Sequence, residues 1–380
     1  MGLPPVPFYD AARALLPYRE QLHAALQRCL EHGTFVLGPE VQRFEQSLAN
    51  YLAIPHAVGV SSGTDALLAT FLALQTDHGA AAPLQPGDDV LTTPYSFIAS
   101  ATSVLRAGLR PVFADLAPGQ FHPSAEEFER AWTPKTRAVL VVHLFGEPLD
   151  LAPIAALCEA RGAVLVEDCA QSIGAQFADG THVSTQGIAG CFSFFPAKNL
   201  GALGDGGAVV TRHDGLAAKL REKRQHGQAK RYQFETLGGN FRLDALQAAF
   251  LGVLLPHLPS WLADRRRRAH NYLTQLGDFA AKHPDRLQLP ADAPGHAWNQ
   301  FVVRSNQRDQ LQEALKTAGI PTQIYYPSAL HQQGALAAAQ PPAHLPEAER
   351  ACQHVLALPI APGLTATEEQ RVIDAVLAAW

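Results

Sequence analysis

Four segments carry polar, reactive side chains where short apolar runs end, which is where ligands gather in parallel α/β sheets. They are S-S-G-T-D-A-L from Ser61, V-E-D-C-A-Q-S from Val166, F-S-F-F-P-A-K-N-L-G from Phe192 and G-G-N-F-R-L-D from Gly238. Glu167 and Asp168 close a very apolar run, so a carboxylate there is desolvated on one side and needs a cation or a donor. Asp168 would cap a helix or hold a protonated ligand nitrogen. Lys198 follows a predicted strand and a proline, among aromatics. A lysine so placed is either ion-paired or held near neutrality for Schiff-base chemistry. Gly63 and Thr64 open a predicted helix whose free N–H groups form an anion site, although Ser and Thr there also suit a plain helix cap. Neither a Walker loop nor a G-x-G-x-x-G turn is present. No segment is specific alone. An aspartate closing one strand and a lysine just past the next, 30 positions later, are together what a pyridoxal phosphate (PLP) site requires.

The elements that must position these residues follow from hydrophobic patterning. Short β-branched runs at His56–Ser61, Asp89–Thr93, Pro111–Asp115, Arg137–His143, Ala163–Glu167, Gly190–Phe194 and Gly207–Thr211 alternate with helical patterns. The helices are expected at Pro39–Tyr51, Thr64–Gln75, Ser96–Ala107, Ser124–Ala131, Asp150–Ala160 and Gly215–Arg224. That alternation predicts βαβ units and a mostly parallel sheet. A helical region from Arg242 toward Gln275 is interrupted by Pro256 and Pro259, and proline inside a helical pattern kinks or ends it. The expected division is a large α/β domain over 1–255 and a smaller C-terminal α+β domain over 256–380. In the latter, strands at Phe301–Arg304 and Gln323–Tyr325 flank a helix at Arg308–Thr317, and two further helices close the chain. The stretches 284–295 and 332–342 read as loops, and Gly201, Gly204, Gly206 and Gly207 as a flexible connection.

The chain has 380 residues, 47% hydrophobic, with a formal net charge of -5. Global disorder is excluded by that apolar fraction and small charge. The acidic balance argues against bulk nucleic-acid binding. The run Arg265 to Arg268 does not change this, because consecutive residues spread around a helix and do not share a face; it reads as a solvated helix or an oligomer contact. Five cysteines without a C-x-x-C pair indicate no disulfide framework, and sixteen scattered histidines without H-E-x-x-H indicate no metal. No apolar run approaches the ~20 residues of a membrane span, and Met1 to Phe8 lacks the layout of a secretory signal. A cytoplasmic protein without membrane or nucleic-acid partners is expected.

Larger blocks are recognisable. V-E-D-C-A-Q-S-I-G-A from Val166 and F-S-F-F-P-A-K-N-L-G-A-L-G-D-G-G from Phe192 are joined by R-Q-H-G at Arg224, N-F-R-L-D-A-L-Q-A-A from Asn240 and I-Y-Y-P at Ile324. With F-V-L-G-P-E at Phe35 and L-A-L-P-I at Leu356, the chain resembles, over nearly its whole length, the fold-type I PLP enzymes and among them the DegT/StrS-type nucleotide-sugar aminotransferases.

The resemblance implies a seven-stranded, mostly parallel sheet in the large domain, and a role for each matching residue. Lys198 would carry the cofactor as a Schiff base and move the proton between substrate and cofactor carbons. Asp168 would pair with the pyridinium nitrogen, and Gln171 would hydrogen-bond the 3′ oxygen. Phe97 would stack on the ring, with Tyr95 in reserve; the alternative is that Phe97 is core. Gly63, Thr64, Ser193 and Asn240 of a second subunit would hold the phosphate, which implies a homodimer with shared active sites. Arg242, Tyr325, Tyr326 and His331 resemble positions lining the sugar-nucleotide pocket. The implied reaction transfers an amino group, usually from L-glutamate, to a keto group, expected at C3, of a dTDP- or UDP-linked sugar for aminosugar or polysaccharide biosynthesis. A sugar dehydratase of the same family is the rival enzyme; the branch with that activity replaces the lysine by histidine, and Lys198 is intact. A non-catalytic regulator on the same fold is the rival outside catalysis.

Overall fold

The computed structural model describes residues 4–337 and 344–380. The part of the expected loop 332–342 beyond residue 337 lies outside the described residues. Seven strands form the central sheet: β1 (His56–Val60), β2 (Asp89–Thr92), β3 (Arg110–Phe113), β4 (Thr136–Val142), β5 (Val164–Asp168), β6 (Ala189–Ser193) and β7 (Gly207–Thr211). Their order is β1-β7-β6-β5-β4-β2-β3. β7 runs antiparallel to β1 and β6, and all other pairs are parallel. Val58, Val60, Val90, Leu140, Val166 and Val209 are inaccessible to water, as a sheet covered on both faces requires.

The covering helices are α1 (Ala11–Leu15), α2 (Arg19–His32), α3 (Pro39–Leu52), α4 (Gly63–Leu74), α5 (Ala99–Arg106), α6 (Ala125–Arg130), α7 (Ala152–Arg161), α8 (Asp214–Lys223) and α9 (Ala245–Leu254). Six match the patterning to within a few residues. α2 escapes it because a largely polar 14-residue helix buries only Leu22, Ala25 and Cys29. A small exposed hairpin, β8 (Gln228–Lys230) and β9 (Gln233–Phe234), follows α8.

A 3₁₀ turn at Leu255–His257, with Pro256 in it and Pro259 opening the next helix, joins α9 to α10 (Leu258–Lys282). Leu258 and Leu262 pack into the core beneath the sheet, whereas Ala269, Tyr272 and Leu276 belong to a second core. The stretch Ala245–Lys282 contains an 18-residue window apolar enough for a membrane span by composition. Here its leucines are consumed by protein packing: Leu251, Leu254, Leu258 and Leu262 are all buried. The arginine run departs from its expected solvated state. Arg265 and Arg268 are buried, and Arg268 is paired with the buried Glu369 at 2.8 Å.

The second core is built with β10 (Phe301–Arg304), α11 (Arg308–Thr317), α12 (Pro346–His354), β11 (Val355–Leu358) and α13 (Ala366–Ala378). β11 pairs antiparallel with β10, in the place expected for Gln323–Tyr325. That segment is not a strand; it keeps one bridge, Gln323 to Ala357. The fully buried run V-L-A-L takes the middle place instead, pairing with β10 along one edge and with Gln323 on the other. The N-terminal segment also joins this region: Val6 is buried there, and its N–H donates to Gly319 O at 3.0 Å. Asp115, just past β3, accepts from the first N–H groups of α12 at 3.1 and 3.0 Å, so the start of α12 is capped from the sheet domain.

Candidate active site

The carboxyl ends of β5 and β6 and the start of α4 open into one cleft of about 450 Å³. Gly63, Thr64, Phe97, Asp168, Gln171, Ser193, Lys198, Tyr325 and Tyr326 all line it. The sequence-derived cofactor residues thus converge, with the exception of Asn240.

Asp168 is the last residue of β5 and is almost fully buried. Its Oδ2 accepts from Ser100 Oγ at 2.9 Å and its Oδ1 from the Ala170 N–H at 3.1 Å. Ser96 Oγ lies 2.9 Å from Ser100 Oγ and extends the chain. Burial pushes the Asp168 carboxyl above the usual range, and these donors and Lys198 only partly offset it. A group of this kind gains most when a cation arrives beside it. Burial acts oppositely on Lys198, drawing its ammonium down to about 8 against the attraction of Asp168. The lysine loop is braced by its own backbone, with Lys198 N–H donating to Phe195 O at 2.8 Å.

Glu167 points away from the cleft and is satisfied elsewhere. It takes hydrogen bonds from the Ser184, Gln186 and Gly187 N–H groups and lies 3.0 Å from His143 Nε2. His143 Nδ1 accepts from the Leu149 N–H at 3.1 Å, so Nε2 carries the proton toward Glu167. The cluster of His143, Glu167 and Cys169 offers metal-ligand atoms, but its polar side chains are already spent on holding the ends of β4 and β5. Gln171 is also held: its Oε1 accepts from the Phe145 N–H at 2.6 Å, and its Nε2 lies 3.4 Å from the Tyr326 hydroxyl.

At α4, Ser62 Oγ accepts from the Asp65 N–H, leaving the Gly63 and Thr64 N–H groups free at the helix start. A Cβ on Gly63 would lie 2.6 Å from Ser193 Cβ, so backbone and serine form a close cradle. Gly207 is not a flexible link: a Cβ there would fall 2.4 Å from Ser62 O. Replacing Gly63 by alanine should destabilise the protein by about 1–3 kcal/mol and weaken cofactor binding at least tenfold. An unchanged denaturation midpoint together with unchanged affinity would contradict the cradle.

Burial separates the two aromatic candidates. Tyr95 is fully buried, donates to the Tyr325 carbonyl and does not line the cleft. Phe97 is 57% exposed at the cleft and is not core. Asn240 is exposed, bridged to Gln225, and outside this chain's cleft. Arg242, bridged to Val60, is outside it too. His331 pairs with Glu349 at 3.1 Å and also does not reach the cleft. Ser96, Ser100, Asp205 and Gln300 line it without having been singled out. The i, i+4 serine pair at a helix start was the available clue for the first two.

This donor set fits pyridoxal phosphate: a buried carboxylate suited to a protonated ring nitrogen, an amine of lowered basicity, and a helix start with a serine suited to a phosphate. Comparison with known proteins agrees. The chain is 39% identical over 374 residues to a pleiotropic regulatory protein of Geobacillus stearothermophilus, covering 98% of this chain and 97% of the relative. It is 40% identical over 378 residues to a dTDP-3-amino-3,4,6-trideoxy-alpha-D-glucose transaminase of Streptomyces venezuelae, covering 98% and 96%. A crystal structure of S. venezuelae DesV in complex with a ketimine intermediate superposes with a TM-score of 0.91 at 40% identity, covering 98% of each chain. The profile of one family matches residues 18–377, and the chain belongs to it: the DegT/DnrJ/EryC1/StrS aminotransferase family.

Proposed function

We propose that the chain is a PLP-dependent aminotransferase that moves an amino group from L-glutamate to C3 of a dTDP- or UDP-linked 3-ketosugar. The observation that carries this is the meeting of Lys198, Asp168 and the start of α4 in one cleft. The 3-amino product in the name of the Streptomyces relative supports the keto position.

Bound in the cleft, PLP supplies an electron sink for the carbon that loses its proton. The remaining work falls to the chain. The Gly63 and Thr64 N–H groups and the Ser193 hydroxyl anchor the phosphate. Asp168 keeps a proton on the ring nitrogen, and that cation in turn offsets the cost of its burial. Gln171 would offer its remaining amide proton to the 3′ oxygen, and Phe97 would pack against the ring. Lys198 Nζ would serve as the acid–base group, taking the proton from the donor's α-carbon and, in the second half of the exchange, giving one to the sugar carbon. Tyr325 and Tyr326 wall the side open to the sugar.

The active form in this reading is a homodimer. Leu237 is 83% and Tyr232 76% exposed on the segment leading to Asn240, apolar surface that a second subunit would cover. Asn240 would then reach the partner's phosphate site. Within one chain, Arg242 and His331 are given no contact in the cleft. Five buried cysteines outside any disulfide suit a reducing compartment, in keeping with a cytoplasmic reaction.

The test is product formation. With isotopically labelled L-glutamate and dTDP- and UDP-linked 3-ketosugars, the label should appear in a nucleotide aminosugar detected by mass spectrometry. Absence of label from every 3-ketosugar, while a 4-ketosugar acquires it, would overturn the assigned position.

A further inference from the structure

Behind Lys198 lies a second cavity of about 270 Å³. It is walled by Tyr9, Pro196, Lys198, Asn199, Trp261 and Arg265, among others. Arg265 also lines a smaller cavity of about 70 Å³, which shares Ala197, Gln300 and Tyr325 with the main cleft. Both side cavities therefore adjoin the cleft, one at Lys198 and one at Ala197, and Arg265 stands in both.

Arg265 is only 2% exposed. No carboxylate pairs with it among the described residues. One guanidinium nitrogen, Nη1, makes all of its hydrogen bonds, to the carbonyls of Trp298, Asn299 and Ile360 at 3.0, 3.3 and 3.4 Å. Its Nε is buried without a partner. Neutral carbonyls compensate a buried cation incompletely, and burial draws the guanidinium down to about 10. Asn199, next to the reactive lysine and 3% exposed, donates to Ala297 O at 2.9 Å, while its Oδ1 has no donor among the described residues.

A buried cation lacking an anion, in a cavity that opens onto the reactive amine, suits the carboxylate of an amino acid whose nitrogen lies in the main cleft. The main cleft offers no alternative within this chain, since Lys198 is the one cationic side chain among the described residues lining it. Lys198 is also needed for the reaction itself. We infer that the Arg265 cavity is the subsite that receives the carboxylate of the amino-acid donor. The acceptor sugar, which has no carboxylate at the reacting carbon, does not use it. This assignment rests on the aminotransferase reading above.

The subsite is tested by comparing two reactions of the same PLP-loaded protein, with L-glutamate and, in reverse, with the nucleotide aminosugar. In Arg265→Met the glutamate rate constant should fall relative to the aminosugar rate constant by on the order of 100-fold, as loss of a charged hydrogen-bonding partner implies. Arg265→Lys, which keeps the charge and most of the stem, serves if the methionine variant does not fold, and should lower the ratio about tenfold. A merely structural arginine would lower both rates alike, and an unchanged ratio in the folded variant overturns the inference. Calorimetric titration of glutarate into cofactor-free protein separates this failure from failure of the aminotransferase reading. Glutarate should bind the wild type and bind Arg265→Met at least tenfold more weakly. Equal binding to both counts against the subsite, whatever reaction the protein catalyses.

Discussion

Lys198→Ala should leave the protein folded and remove its turnover. Lys198 Nζ has no hydrogen-bond partner among the described side chains, and the loop is held by backbone bonds such as Lys198 N–H to Phe195 O at 2.8 Å. Truncating the side chain therefore takes no support from the sheet. The loss falls on proton transfer, to which a positioned acid–base group typically contributes about 10²–10⁴ in rate, and on cofactor attachment. With burial drawing the ammonium down to about 8 from the ordinary 10.5, a much larger share of the amine is neutral near pH 7 than for an exposed lysine. Attachment of PLP to the wild type should accordingly quicken as pH rises through about 8. Steady-state assays, circular dichroism and the pH dependence of PLP uptake check these points. A folded Lys198→Ala protein retaining most of its activity would remove the lysine from its role.

Asp168→Asn should have opposite effects on the empty and the loaded protein. The asparagine is nearly the same size and can still accept from Ser100 or the Ala170 N–H. The missing feature is a buried charge whose carboxyl is already raised by burial. An acid with a raised folded-state pKa costs stability above its unfolded value, so at neutral pH its removal should raise the melting temperature of cofactor-free protein. With PLP the sign reverses. A carboxylate beside a cation is worth about 1–3 pK units, each about 1.4 kcal/mol. Cofactor affinity and turnover should then each fall by about 10–10³-fold. A variant that loses stability when empty and binds PLP as tightly as wild type would contradict the pairing.

How much of this was legible in the sequence depends on the kind of residue. β5 and β6 end on reactive side chains because their apolar runs are unmistakable, and the same runs put Asp168 and Lys198 in one cleft. Tyr95 and Phe97 are two residues apart in a loop that turns one ring into the core and the other out; composition carries no information on that turn. β11 was hidden because V-L-A-L is equally good as a buried helix turn, and only pairing with β10 decides it. The buried arginines of α10 were misread for a related reason. A charge run is ordinarily solvated, but Arg268 meets Glu369, a residue 101 positions away that local patterning cannot connect. Asn240 lies outside this chain's own cleft, a placement that local patterning does not reveal.

The most direct measurement is the visible absorbance of the PLP-loaded protein before and after L-glutamate. A Schiff-base band should give way to the pyridoxamine form, with 2-oxoglutarate released in equal amount, and return on addition of a nucleotide 3-ketosugar. Absence of any such band with added PLP would contradict the assignment of Lys198 and Asp168 to a PLP site.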